Sequence, residues 1–145
     1  MAKAVDPMTT LLSSVKLFEG LTSKELSVIR AIARDHAIAP GVAVVTQGDK
    51  DRRLYLVAVG DAKVSVDGRS VGKVGAGDYF GEISVLDGGE RAATVTSTTA
   101  MTLLSISYFN LKPILKEQPD IAIKLLTGMC AMVRGNASRK AGQTH

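Results

Sequence analysis

The sequence predicts a mainly β domain with flanking helices, a jelly-roll barrel, and three observations carry that expectation. Between His36 and Ile106, short β-branched and apolar runs alternate with glycine-bearing turns, the pattern of many short strands in a closed β structure. On either side of that stretch, apolar residues recur at helical spacing instead. The chain has 145 residues, 46% hydrophobic and 22% charged, enough for one core of ordinary globular composition. A single domain over residues 8–135 is expected, with 1–7 and 136–145 as flexible tails.

Leu11 to Phe18 is a short segment, apolar on one side. Thr22-Ser23-Lys24-Glu25 reads as a capping box, Thr22 as N-cap and Glu25 at N3, with Leu21 and Leu26 as the hydrophobic staple. Leu26, Ile29, Ile32 and Ala33 then continue an amphipathic helix to about Arg34.

The strands follow. Val42 to Thr46 is β-branched and closed by Gly48-Asp49. Leu54 to Val59 is a continuous apolar run, read as a strand buried on both faces. Gly60-Asp61 turns it into Ala62 to Val66. Asp67-Gly68 is a two-residue hairpin signal leading to Ser70–Val74. Arg91 to Ser97 and Met101 to Ile106 supply the last strands.

Helix returns from Tyr108 to Lys116. Pro119 at N1, with Asp120 beside it, starts a second helix that should stop near Gly135. Ile121, Leu125, Met129 and Met132 form one apolar stripe; Ala122, Leu126, Cys130 and Val133 form another. One stripe would cover the barrel, leaving the other for a partner helix, a ligand or a copy of the chain; alternatively both belong to a core.

Composition removes several function classes. The single Cys130 excludes a disulfide framework and a multi-thiolate metal site, and its neighbours Met129, Ala131 and Met132 make a buried structural thiol the expected reading. Ile121 to Val133 is broken by Lys124 and too short to cross a bilayer. The N-terminus lacks the apolar core of a signal peptide, so a cytoplasmic location is expected. Net charge is +4, but Arg134, Arg139 and Lys140 account for part of it as a solvated tail. Six aromatic side chains without a Trp give few stacking platforms, so no specific nucleic-acid partner is expected.

Enzyme signatures are missing as well. His36 and His145 are too far apart in sequence to suggest a metal cluster or a Ser-His pair, and His36 reads as structural. Gly75-Ala76-Gly77 followed by Gly81 is not a dinucleotide fingerprint, because the third glycine position is Phe80 and no long helix follows. The expectation is a binding module, not an enzyme, with no metal and no cofactor.

The richest stretch is Phe80-Gly81-Glu82-Ile83-Ser84-Val85-Leu86, followed by Arg91-Ala92-Ala93-Thr94-Val95. A carboxylate accepting from hydroxyls and an Arg pairing with phosphate suit the two ends of a ribose phosphate. Taken alone, Glu82 and Arg91 favour an internal salt bridge with no ligand.

Gly77-Asp78-Tyr79-Phe80-Gly81-Glu82-Ile83-Ser84 and Arg91-Ala92-Ala93-Thr94-Val95, in that order and spacing, resemble the phosphate-binding cassette of cyclic nucleotide-binding domains. Such domains occur in cAMP-dependent protein kinase regulatory subunits, catabolite activator protein and cyclic-nucleotide-gated channels. The resemblance extends to Gln47-Gly48-Asp49, to Leu54-Tyr55-Leu56-Val57 with Gly60, and to Leu17-Phe18 with Leu21, so it spans about Leu11 to Val133.

The resemblance implies that Glu82, helped by the backbone at Gly81, takes the ribose 2′-hydroxyl and that Arg91 pairs with the cyclic phosphate. It also implies a short helix from Ile83 to Leu86, including Ser84, whose N-terminal amides face the phosphate, while Ala92 and Ala93 let the backbone approach. Ala92 after the Arg leans towards cAMP over cGMP. Val71 and Val74 on the barrel wall, and Met129, Met132, Val133 or Arg134 on a C-terminal lid helix, are the candidate base contacts. The expected output is movement of that helix, acting on a partner protein, a fused domain or a second copy. The alternatives are a degenerate jelly roll serving as a scaffold without nucleotide, and a cupin-type metal enzyme, against which two distant histidines argue.

Overall fold

The computed structural model describes residues 7–81 and 84–138. Of the expected tails 1–7 and 136–145, residues 1–6 and 139–145 lie outside the described residues, as do the site candidates Glu82 and Ile83, whereas Pro7 and residues 136–138 belong to helices. The chain divides into a barrel unit, residues 33–108, and a helical unit formed by residues 7–32 and 109–138.

Eight strands build the barrel unit: β1 Arg34–Ile38, β2 Ala43–Val45, β3 Arg53–Val59, β4 Ala62–Val66, β5 Arg69–Val74, β6 Tyr79–Phe80, β7 Thr94–Ser97 and β8 Met101–Ser107. They pair antiparallel as two four-stranded sheets, in the orders β1-β8-β3-β6 and β2-β7-β4-β5. The predicted jelly roll is therefore the observed architecture. Successive residues of a strand face opposite sides. Tyr55, Val57, Phe80, Met101 and Leu103 of one sheet accordingly meet Val45, Ala62, Val64, Val74 and Val95 of the other in one core. Leu54 and Leu56 on the second face of β3 are also buried, as the unbroken apolar run predicts, although Val59 at its end is 59% exposed.

Local chemistry sets the turns. Asp67 and Gly68 both take positive φ, +53° and +80°, which is the two-residue hairpin conformation whose twist suits flanking strands. Val66 accordingly pairs with Arg69.

Three strand expectations need correction. The helix expected to about Arg34 ends at Ile32, and β1 already begins at Arg34: this polar segment gains its strand from pairing along β8, Arg34 opposite Ser105 and Ile38 opposite Met101. His36 consequently sits within a strand, where its Nε2 shares a 2.6 Å hydrogen bond with the Ser105 hydroxyl. The last sheet strands begin at Thr94 rather than Arg91, because the backbone of Arg91 bonds to the turn at Gly48 and Asp49. Tyr79–Phe80, unanticipated as a strand, pairs with Leu56 and Tyr55 of β3.

In the helical unit, α1 runs Pro7–Ser13, earlier than predicted, followed by a 3-10 turn at Lys16–Phe18 and by α2, Ser23–Ile32. The capping box is formed as expected: the Glu25 amide donates to Thr22 Oγ1 (3.2 Å) and the Thr22 amide to Glu25 Oε1 (2.8 Å). In the barrel unit, α3 is Ser84–Asp87; α4 runs Tyr108–Glu117, starting at the barrel's last residue, and α5 runs Pro119–Ser138, with Pro119 opening it and Gly135 inside it. Leu12, Leu17, Phe18, Ile29, Ile121 and Leu125 are buried. Gly128 lies so close to the 3-10 turn that a Cβ would stand 2.5 Å from the Leu17 carbonyl.

Cys130 is exposed, contrary to the expected buried thiol. It falls nine residues after the fully buried Ile121, which at about 100° per residue is the opposite side of α5. Leu126 and Val133 on the same stripe are 65% and 61% exposed. Among the described residues, no helix is long and apolar enough to cross a membrane.

Candidate functional site

Arg91 is the one charged side chain buried among the described residues, at 5% exposure. Its backbone is anchored first. The Arg91 amide donates to the Asp49 carbonyl (2.7 Å), and its carbonyl accepts from the Gly48 amide (2.9 Å). That turn is fastened in its own right. The Gln47 amide donates to Thr94 Oγ1 (2.9 Å). The Gln47 carboxamide exchanges two hydrogen bonds with Asp67, donating to Oδ1 (3.0 Å) and accepting from its amide (2.8 Å).

The side chain then reaches the start of β3. Nη2 donates to the Arg53 carbonyl (2.5 Å) and lies 3.6 Å from Asp51 Oδ2. The same Asp51 oxygen accepts from the Tyr55 hydroxyl (2.9 Å). The Tyr55 ring stacks on Phe80 at 5.2 Å and 20°, and the Arg91 guanidinium carbon is 5.7 Å from the Tyr55 ring centre. Burial is the main cause that pushes the Tyr55 phenol up; the Arg53 guanidinium opposes it and Asp51 reinforces it. The phenol therefore stays a neutral donor to Asp51 at physiological pH.

Gly81 explains its own identity. Its φ is +87°, and a Cβ would run into Arg91 Nη1 and the Arg53 carbonyl. A side chain at this position would displace the guanidinium, so the glycine is what lets the backbone entering α3 lie against it. The Val85 amide donates back to the Gly81 carbonyl (3.0 Å), closing the first turn of α3.

Of the site candidates, the structure thus brings Gly81 and Arg91 together. Ser84 opens α3. Ala92 is exposed beside Arg91, whereas Ala93 is buried in the barrel core. Val74 belongs to that core and Val71 is 47% exposed on β5. Met129 and Met132 are half-buried on α5, and Val133 and Arg134 are exposed on it. Sequence reasoning missed Asp51, the Arg53 carbonyl and Tyr55 as the surroundings of Arg91. The signal was the charged run Lys50-Asp51-Arg52-Arg53 set directly before an apolar strand.

A concavity lies at the far end of β3. Val59, Ala100, Met101 and Ala37 line an open groove of about 410 Å³ with no charged side chain. Six residues of strand, about 20 Å, separate Val59 from Arg53, so this groove takes no part in the Arg91 site.

Known proteins resemble this chain in sequence and in fold. The family profile described as "Cyclic nucleotide-binding domain" matches residues 36–118. A cGMP-dependent protein kinase of Toxoplasma gondii is 39% identical over 95 residues, covering 66% of this chain but 10% of the kinase. The N-terminal domain of a transcriptional regulator from Streptomyces coelicolor A3(2) superposes with a TM-score of 0.78 at 32% identity, covering 91% of this chain and 99% of that one. The regulatory domain of Toxoplasma gondii PKA, solved with cAMP, gives 0.70 at 32% identity over 77% of this chain and 44% of that one. The chain spans less than a third of the curated relatives that it matches first.

Proposed function

Because the chain belongs to the cyclic nucleotide-binding domain family, we propose that it is a non-catalytic, cytoplasmic receptor for a cyclic nucleotide, cAMP in preference to cGMP. The observation that carries this reading is the buried Arg91 guanidinium lying against Gly81. Arg91 pairs with the cyclic phosphate through charge-assisted hydrogen bonds. Glu82 accepts from the ribose 2′-hydroxyl, with the Gly81 backbone beside it. Asp51 keeps the guanidinium oriented at 3.6 Å, longer than a tight charged hydrogen bond, so an incoming phosphate oxygen competes for it.

Two features support cAMP: a solved relative at 32% identity carries it, and Ala92 offers no hydroxyl next to Arg91. Binding favours one arrangement of the C-terminal helix over another and so regulates a partner protein, a fused domain or a second copy. The exposed stripe of Leu126, Cys130 and Val133 on α5 supports that output.

The test is calorimetry and thermal shift on the purified chain with cAMP and cGMP. Expected are micromolar or tighter binding of cAMP and a raised unfolding midpoint. Arg91→Ala should weaken binding by about one to two powers of ten, since a hydrogen bond to a charged group is worth about 1.5–3 kcal/mol. No heat and no midpoint shift with either nucleotide would leave the scaffold reading in its place.

A further inference from the structure

Three consecutive residues at the start of β3 divide their contacts between two places. Asp51 and the Arg53 carbonyl hold Arg91. Arg52 between them turns elsewhere. Its Nη2 donates to the Leu86 carbonyl at the end of α3 (2.7 Å). Its guanidinium carbon stands 3.6 Å above the centre of the Tyr108 ring, well within cation–π range. The Tyr108 amide closes the circuit by donating to the Arg52 carbonyl (2.9 Å). Tyr108 is where β8 ends and α4 begins.

Gly88, at φ +70°, lies over the same side chain. A Cβ there would come within 3.1 Å of Arg52 Cζ and Nε. Arg52 is therefore enclosed between the segment that runs from α3 to Arg91 and the first residue of α4. Its Nε is buried with no acceptor among the described residues.

We propose that Arg52 is a positioning residue: it clamps the end of α3 against Tyr108 and thereby couples nucleotide occupancy at Arg91 to the root of α4. The inference rests on the nucleotide-binding reading above. The coupling is mechanical and short. A phosphate that draws Arg91 away from Asp51 and the Arg53 carbonyl changes the contacts of the two residues flanking Arg52, and Arg52 holds both α3 and Tyr108. The planar guanidinium is required because it stacks on the ring and donates to a carbonyl at once; an ammonium of the same charge presents no face to stack.

The experiment uses the full chain with Arg52→Lys, Tyr108→Leu, Tyr108→Phe and the Arg52→Lys/Tyr108→Leu pair. Calorimetric cAMP affinity, the unliganded unfolding midpoint and hydrogen exchange of the amides at Val85–Glu90 are measured for each. Arg52→Lys and Tyr108→Leu should each weaken cAMP binding roughly three- to thirtyfold, with the pair little weaker than either alone because both remove one contact. Tyr108→Phe, which keeps the ring face, should restore most of the loss. In the unliganded Arg52→Lys chain, Val85–Glu90 should exchange at least about threefold faster while β4 and β5 are unchanged.

Unchanged affinity in Arg52→Lys, or fully additive losses in the pair, overturns the clamp. Should the parent chain bind neither cAMP nor cGMP, the receptor reading falls by itself. The exchange data then judge the contact alone, and unaltered exchange at Val85–Glu90 overturns that too.

Discussion

The barrel unit buries Arg91, Ser97 and Ser105 together with its apolar residues, whereas the described part of the helical unit buries apolar side chains alone. Ser97 and Ser105 have evident structural work. The Ser97 hydroxyl donates to the Ala39 carbonyl (2.6 Å) and accepts from the Val42 amide (2.9 Å), fixing the link between β1 and β2. Ser105 is bonded to His36. Arg91 is different in kind. Its guanidinium is buried, donates to the Arg53 carbonyl and stands 3.6 Å from Asp51, and taking such a charge out of water is costly. Among the described residues, the helical unit places its tightest ion pair, Glu25 to Lys124 at 2.7 Å, where both partners keep some exposure. On the proposed function, the difference separates charge kept for a ligand from charge kept for the fold, and each substitution below tests on which side a residue falls.

The largest effect is expected at Gly81. Gly81→Ala forces a side chain into Arg91 Nη1 and the Arg53 carbonyl at positive φ. It should cost at least about tenfold in cAMP affinity and about 1–3 kcal/mol in stability. Calorimetry and denaturant unfolding read the two losses separately. Affinity retained in Gly81→Ala would mean that Arg91 is a structural charge after all, and the comparison would collapse.

Gly60→Ala sharpens the same point from the other end of β3. Its φ is +99°, and a Cβ would meet the Ala100 carbonyl and the Met101 Cα. The strain is comparable, so about 1–3 kcal/mol of stability should again be lost, lowering the midpoint by several degrees. The groove there holds no charge, so the affinity of the remaining folded protein should not change. A tenfold loss in affinity would place ligand contacts at both ends of the barrel.

Much of this was legible in the chain, and the limits have physical causes. Asp67-Gly68, the capping box and the Gly81-to-Arg91 cassette are local patterns in which neighbouring residues carry the whole constraint. The partners of Arg91 are not local: Arg53 is 38 residues away, and only folding places its carbonyl beside the guanidinium. β1 was hidden for a related reason, since its alternating pattern is mostly exposed and its hydrogen bonds come from β8. Cys130 misled because Met129, Ala131 and Met132 surround it in sequence but do not say which face of α5 is covered.

In the helical unit the expected effects shrink. Thr22→Ala removes the side-chain acceptor of the Glu25 amide and should cost about 1 kcal/mol. The midpoint should fall by a few degrees with cAMP affinity intact. An equal loss of affinity would show that the helical unit shares in binding.

The smallest effect, and the most discriminating for how this unit uses charge, is the acid titration of Glu25. Its carboxyl is held below the ordinary value of 4.5, first by the Lys124 ammonium and next by the Thr22 amide, while desolvation opposes them. A carboxyl with a depressed folded value binds its proton less readily folded than unfolded. Its stabilisation is therefore complete above the unfolded value, near 4.5, and is lost as pH falls through the lower folded value. Glu25→Gln keeps an oxygen that can accept from the Thr22 amide but abolishes the charge. Its midpoint should lie slightly below the parent's at neutral pH, and the gap should close as the pH is lowered past about 4. Because Lys124 and Glu25 are both partly solvated, added salt should narrow the gap as well. A gap that persists at acid pH would assign the loss to packing rather than charge. A gap that instead tracks cAMP affinity would move Glu25 to the ligand's side of the comparison, where the proposed function puts Arg91.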